Sequence, residues 1–245
     1  MPHFPCLGVT FTLSLTMARL PRLSIPDWPH HVVQCGHDRQ VIFHDDEDRK
    51  AYLMALREGA ATLRMAVHAY ALLDREVHLL ITPPSAQALG QLMQAIGRRY
   101  VTAFNRRHGR TGTLWEGRYR TTIIDHGADT LTAMRYIEQA PVRAGLSAVA
   151  AGWTWSSAAH HLGHARDSLL LDVPAFWFLG NTPFDRQAAW LRSLEDFLPA
   201  EVVERMTHSV MHGWPQGSGA FLASLARYTE RPLSPRPQGR PRRTA

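Results

Sequence analysis

Two apolar runs, MAVHAYALL (65–73) and EVHLLITP (76–83), are separated only by Asp74 and Arg75. So short a break between β-prone runs leaves room for a tight turn and little else, so the pair reads as an antiparallel hairpin. Its apolar faces must be covered by the rest of the chain. Upstream, HHVVQCG (30–36) alternates like a strand, and the acidic run Asp45, Asp46, Glu47, Asp48 opens a helix to about Leu63. The apolar stripe of that helix is Tyr52, Leu53, Leu56, Ala60 and Leu63. Carboxylates in a first turn complement the positive end of the helix dipole, so this cluster is read as capping rather than metal binding. Downstream, Ser85 is placed as the N-cap of a helix in which Leu89, Leu92, Met93, Ile96, Tyr100 and Phe104 recur at helical spacing. HGRTGTLWEGR is loop, YRTTIID is a strand, and a third helix from Asp129 or Thr130 stops at Pro141. The order strand, helix, two strands, helix, strand, helix predicts an α+β fold of ferredoxin-like type, an antiparallel sheet with helices on one face.

Beyond about residue 150 the character changes to a tryptophan pair, GWTWSS, and helical segments near Pro183 to Leu198 and Glu201 to Met211. The tail RPLSPRPQGRPRRTA has nothing to bury and is expected to be disordered when free. The opening residues lack the basic region of a signal peptide, and Met17 begins a more natural start. The expected division is a disordered or misassigned start (1–16), an α+β domain (17–163), a helical C-terminal extension (164–230) and an arginine and proline-rich tail (231–245). No run approaches the length of a spanning helix, so no membrane partner is expected. Cys6 and Cys35 form neither a disulfide framework nor a zinc motif, which fits a reducing cytoplasm.

The net charge of +6 is almost wholly arginine, because Lys50 is the only lysine. Arginine's planar fork suits phosphates, although a GC-rich genome explains the same bias equally well. Position is more informative. Arg98, Arg99, Arg106, Arg107, Arg110, Arg118 and Arg120 crowd one stretch with Tyr100, Trp115 and Tyr119 interleaved, the composition of a surface that binds phosphates and stacks bases. Arg236, Arg240, Arg242 and Arg243 in the tail resemble an AT-hook, with non-specific phosphate binding the alternative.

Glu76 and His78 lie two apart in a strand and so share a face, where both can reach one ion or phosphate. His30, His31, His37, His44, His68, His160 and His161 show no standard ligand spacing and are read as structural or exposed. Ser156 and Ser157 have no identifiable base.

The blocks PHHVVQCGHDRQVIFHDDED, HAYALLDREVHLLITP, LMQAIGRRYVTAFNRRHGRTGTLWEGRYR, MRYIEQAPVRAGL and WTWSS, over roughly Met17 to His161, resemble the REP-associated tyrosine transposases. These are relatives of the insertion-sequence transposases of the HUH single-tyrosine class. A weaker resemblance in GWPQGSGAFL and the arginine tail extends to the C-terminus. The resemblance implies an HUH-type fold, cytoplasmic and nucleoid-associated, binding single-stranded or hairpin DNA as a monomer or homodimer. It also implies nicking and rejoining through a 5′-phosphotyrosine with a divalent cation, Mg²⁺ or Mn²⁺. The family nucleophile corresponds to Tyr136 and the second metal-binding histidine to His78. The first histidine position is Glu76, and the amide position is Ala140, so two of the three expected ligands are replaced. Gln139, three residues after Tyr136, offers a displaced amide. The resemblance therefore leaves two outcomes, a nicking enzyme with an altered ion site or a domesticated or decayed transposase that only binds DNA.

Overall fold

The computed structural model describes residues 22–235, so the expected start at 1–16 and the tail arginines Arg236, Arg240, Arg242 and Arg243 lie outside the described residues. Strands β1 (His30–Cys35), β2 (Ala66–Leu72), β3 (Glu76–Thr82) and β4 (Arg120–Ile123) form one sheet in the order β2-β3-β1-β4. Every neighbouring pair is antiparallel. Helices α1 (Asp46–Leu63) and α2 (Ala88–Arg107) make the two crossovers, and α3 (Ala128–Glu138) follows β4. This is the split β-α-β of the ferredoxin-like class, the α+β antiparallel architecture expected from the sequence.

The helices occupy both faces. Right-handed crossovers of a twisted sheet carry α1 and α2 to the same side, where they cover Val77, Leu79 and Ile81 of β3 together with Tyr52, Leu56, Leu92, Ile96, Tyr100 and Phe104. Gly59 lets the two helices approach closely, since a Cβ there would sit 2.7 Å from Leu92 Cδ1. The opposite face of β2 carries Ala69 and Ala71, and over these small side chains lie Ala133, Tyr136, Ile137 and Ala140. A sheet whose strands are apolar on both faces needs two covers, which one layer of helices cannot provide.

The expected capping is present. Asp45 accepts from Glu47 N and Asp48 N at the start of α1. The N-cap of α2 is Gln87 rather than Ser85, whose carbonyl instead accepts from Ala88 N.

Short turns α4 (Ala140–Arg143), α5 (Ala158–His161) and α6 (Pro174–Trp177) precede the longer α7 (Pro183–Glu195), α8 (Ala200–His212) and α9 (Gly219–Leu225). The GWTWSS stretch lies along the free edge of β2: Leu72 N donates to Trp155 O, Ser157 N to Tyr70 O, and Trp153 Nε1 to Leu72 O. Covering an edge strand in this way removes a template for unwanted pairing. Phe176, Trp190, Leu194 and Met206 join the core beneath α3, so the hydrophobic cluster continues from the sheet into the C-terminal extension.

Candidate active site and nucleic-acid interface

Strand register assembles the site. His31 pairs with Leu80, Val33 with His78 and Cys35 with Glu76, so His31, Glu76 and His78 share the sheet face that α3 covers. His31 Nε2 lies 3.2 Å from His78 Nδ1, and His78 Nε2 lies 3.1 Å from Glu76 Oε1. The three side chains form one hydrogen-bonded row. Tyr136 meets it edge-on, with ring centroids 5.3 Å from His31 and 5.9 Å from His78. His31 had no distinguishing spacing in the sequence; the signal that could have found it is its parity along β1, which only the register with β3 turns into a position.

Burial sets the electrostatics. His31 is held well below the usual histidine range, first by burial and then by the charges of His78 and Arg143, so it is neutral near pH 7. Burial raises the Tyr136 phenol, while the Arg143 guanidinium acts in the opposite sense. The Arg143 guanidinium stacks 4.2 Å from the Tyr136 ring centre and donates to Tyr136 O. Thr207 on α8 sits 2.9 Å from the Tyr136 hydroxyl.

For a divalent ion, Glu76 supplies a hard oxygen and His78 an imidazole nitrogen, close enough to share one cation. Mg²⁺ and Mn²⁺ accept such a pair and fill their other positions with water or phosphate. Those two residues fit an ion held on two protein donors. Ala140 offers no donor, and Gln139 does not replace it. The Gln139 amide nitrogen donates to Leu194 O and Asp196 O, and its oxygen accepts from Leu198 N, so both polar ends face the C-terminal extension. The α3 twist carries position 139 to that side, which corrects its assignment as a ligand.

The basic stretch divides in three. Tyr100 and Trp115 are only 1% and 7% exposed, so they belong to the core and are not base-stacking platforms. Their helical and loop positions face the sheet while the intervening arginines face solvent. Tyr119 is half-buried beneath the Arg22 guanidinium, 4.0 Å from its ring centre. Arg99 pairs with Glu58, Arg107 with Asp45 and Asp48, and Arg110 bonds Gln40 Oε1. Arg120 donates to Met211 O on the face of the sheet that carries His78. Arg98, Arg106 and Arg118 are exposed and have no carboxylate partner among the described residues. Arg98 and Arg106 lie on α2, across the sheet from Tyr136.

A family model described as Transposase IS200 like matches residues 25–140, the span that holds the sheet, His31, Glu76, His78 and Tyr136. That match covers just under half of the chain. The recognition made from the sequence blocks is borne out at the level of this family. A solved structure described as a REP-associated tyrosine transposase bound to a REP hairpin is similar in fold to this chain: TM-score 0.53, 15% identity, 65% of this chain and 93% of that one covered. A candidate transposase from Deinococcus radiodurans matches with TM-score 0.34 and 21% identity over 46% of this chain and 88% of its own, too loosely to carry any argument. No curated protein matches the chain significantly. No helix among the described residues is long and apolar enough to cross a membrane.

Proposed function

We propose that this IS200-like protein is a cytoplasmic, nucleoid-associated transposase of the REP-associated kind. It binds single-stranded or hairpin DNA of repetitive palindromic elements, and nicks and rejoins one strand through Tyr136. The observation that carries this reading is the packing of the Tyr136 ring against the Glu76–His78–His31 row, which brings a nucleophile and two ion donors to one place.

A bound Mg²⁺ or Mn²⁺ supplies positive charge beside the phosphate oxygens on which negative charge develops. The chain's own groups do the rest. His78 offers Nε2 as a donor when its ring proton sits on Nδ1, where His31 Nε2 can accept it and fix the ring. Arg143, over the phenol ring, favours the phenolate that attacks phosphorus. Attack joins the Tyr136 oxygen to the 5′ phosphate and releases a 3′ hydroxyl, and rejoining reverses both bond changes. Arg98, Arg106 and Arg118 present exposed cations to the DNA backbone.

The second reading is a DNA-binding descendant that no longer cuts. It is favoured by the closed Glu76–His78 bond, by Ala140 and by the diversion of Gln139. Incubation of a 5′-labelled hairpin from the source genome with Mn²⁺ or with EDTA distinguishes them. A shortened labelled strand only with Mn²⁺ supports the first reading, a native-gel shift without cleavage supports the second, and absence of binding contradicts both.

A further inference from the structure

Away from Tyr136, His160 and His161 of α5 and Asp172, two residues before α6, bring ligand atoms within 4.8 Å of one another. His161 is the most prepared of the three. Its side chain is fully buried, and Nδ1 lies 2.5 Å from Glu138 Oε1. A carboxylate in contact with Nδ1 fixes the ring proton there and leaves the lone pair on Nε2. That Nε2 is buried with no hydrogen-bond partner among the described residues, and so is Asp172 Oδ1, 3.9 Å away. His160 Nε2 lies 3.7 Å from the same oxygen.

These separations are too long for hydrogen bonds. They are close to the ~3.4 Å expected between two donors on one tetrahedral zinc with bonds of about 2.0–2.1 Å. A lone pair on His161 and a carboxylate oxygen facing each other without a proton between them repel, and a cation removes the repulsion. The support behind His161 is rigid as well. Glu138 is itself fully buried, receives Ser157 Oγ on the same oxygen as His161, and receives Trp190 Nε1 on the other at 2.8 Å. Metal-binding histidines are commonly held by a carboxylate on their second nitrogen in this way.

We propose that His160, His161 and Asp172 bind one zinc-like divalent cation, which ties α5 to the segment leading into α6 and leaves one coordination position for water. Two imidazoles and one carboxylate favour zinc over magnesium, which prefers oxygen donors. The partial exposure of His160 and Asp172, 20% and 24%, gives the ion a route in. Ligation through His160 Nε2 moves that ring's proton to Nδ1 and gives up the bond now accepted from Asp167 N at 3.1 Å. The site is therefore weaker than one whose rings are all preset.

The test uses the full chain, stripped with EDTA and titrated with ZnCl₂ against a chromogenic chelator. Asp172→Asn, His160→Ala and a Glu76→Ala, His78→Ala double variant are titrated in parallel. The expected result is one zinc per chain, an affinity at least about tenfold lower in Asp172→Asn and His160→Ala, and an unchanged affinity in the double variant. Co²⁺ added to the unmodified protein should give the intense visible absorption of a tetrahedral site, a readout that needs no variant to fold. Absence of stoichiometric zinc binding, absence of the cobalt spectrum, or zinc retained by Asp172→Asn and His160→Ala and lost from the double variant overturns the proposal.

Discussion

The Tyr136 hydroxyl on α3 lies 2.9 Å from the Thr207 hydroxyl on α8, and Thr207 donates its own proton to Val203 O at 2.8 Å. Tyr136 is therefore the donor of the pair. The phenol proton is held by the C-terminal extension, and attack on a phosphate requires that bond to break.

Replacing Thr207 by valine keeps the shape and removes the acceptor. A hydrogen bond of about 1 kcal/mol then no longer has to be broken before attack, so the single-turnover rate of strand cleavage should rise roughly fivefold. A rate at or below that of the unmodified protein would show that α8 does not restrain Tyr136.

The altered ion site makes a second prediction. Glu76→His with Ala140→Asn restores an imidazole and an amide, and Mn²⁺-dependent nicking should rise about tenfold or more. Ala140 is only 4% exposed, so Ala140→Asn alone should lower stability by roughly 1–3 kcal/mol through its buried amide. Urea unfolding measures the second effect. Unchanged cleavage by a folded double variant contradicts the role given to these positions.

DNA affinity should follow the exposed arginines and not the buried aromatics. Arg98→Ala with Arg106→Ala should flatten the dependence of log K on log salt by roughly 1.4–1.8, two phosphate contacts' worth, and leave the melting temperature in place. Trp115→Ala should destabilise the fold by about 3–5 kcal/mol. Weaker hairpin binding by Trp115→Ala at undiminished stability would restore this residue as a stacking platform.

His30 predicts a pH effect on stability. Its ring is buried, Nδ1 donates to Trp28 O at 2.7 Å and Nε2 accepts from Ile25 N at 3.3 Å, so the neutral form is fully satisfied. Burial lowers its pKa from 6.5 to about 4. The unfolded chain thus binds the proton more readily between these values. The His30 contribution is complete above about pH 6.5, is lost as pH falls and is gone by about pH 4, a difference of about 3 kcal/mol. Urea unfolding from pH 7 to 4 should show this slope, and His30→Gln should make it shallower. An equal slope in the variant would assign the effect elsewhere.

The hairpin and the helices were legible because each rests on local signals: a two-residue break and a 3.6-residue apolar repeat. His31 was not, because its meaning depends on pairing with a strand more than forty residues away. Tyr100 and Trp115 were misread because alternation of arginine and aromatic residues along a sequence is also what one buried and one solvated face produce. Gln139 pointed the wrong way for a related reason: what it binds, Leu194 to Leu198, belongs to the extension. Glu138 gave no sign of being a buried hub, since Ser157, His161 and Trp190 reach it from segments 19 to 52 residues distant.

The central claim is that Tyr136 attacks DNA from beside the Glu76–His78–His31 row. It is tested most directly by incubating the protein and its Tyr136→Phe variant with 3′-labelled hairpin DNA and Mn²⁺, then separating the products on a denaturing protein gel. The account predicts a labelled covalent band in the unmodified protein that is absent from Tyr136→Phe, with hairpin affinity nearly equal in the two. Cleavage accompanied by an adduct that survives in Tyr136→Phe would contradict it.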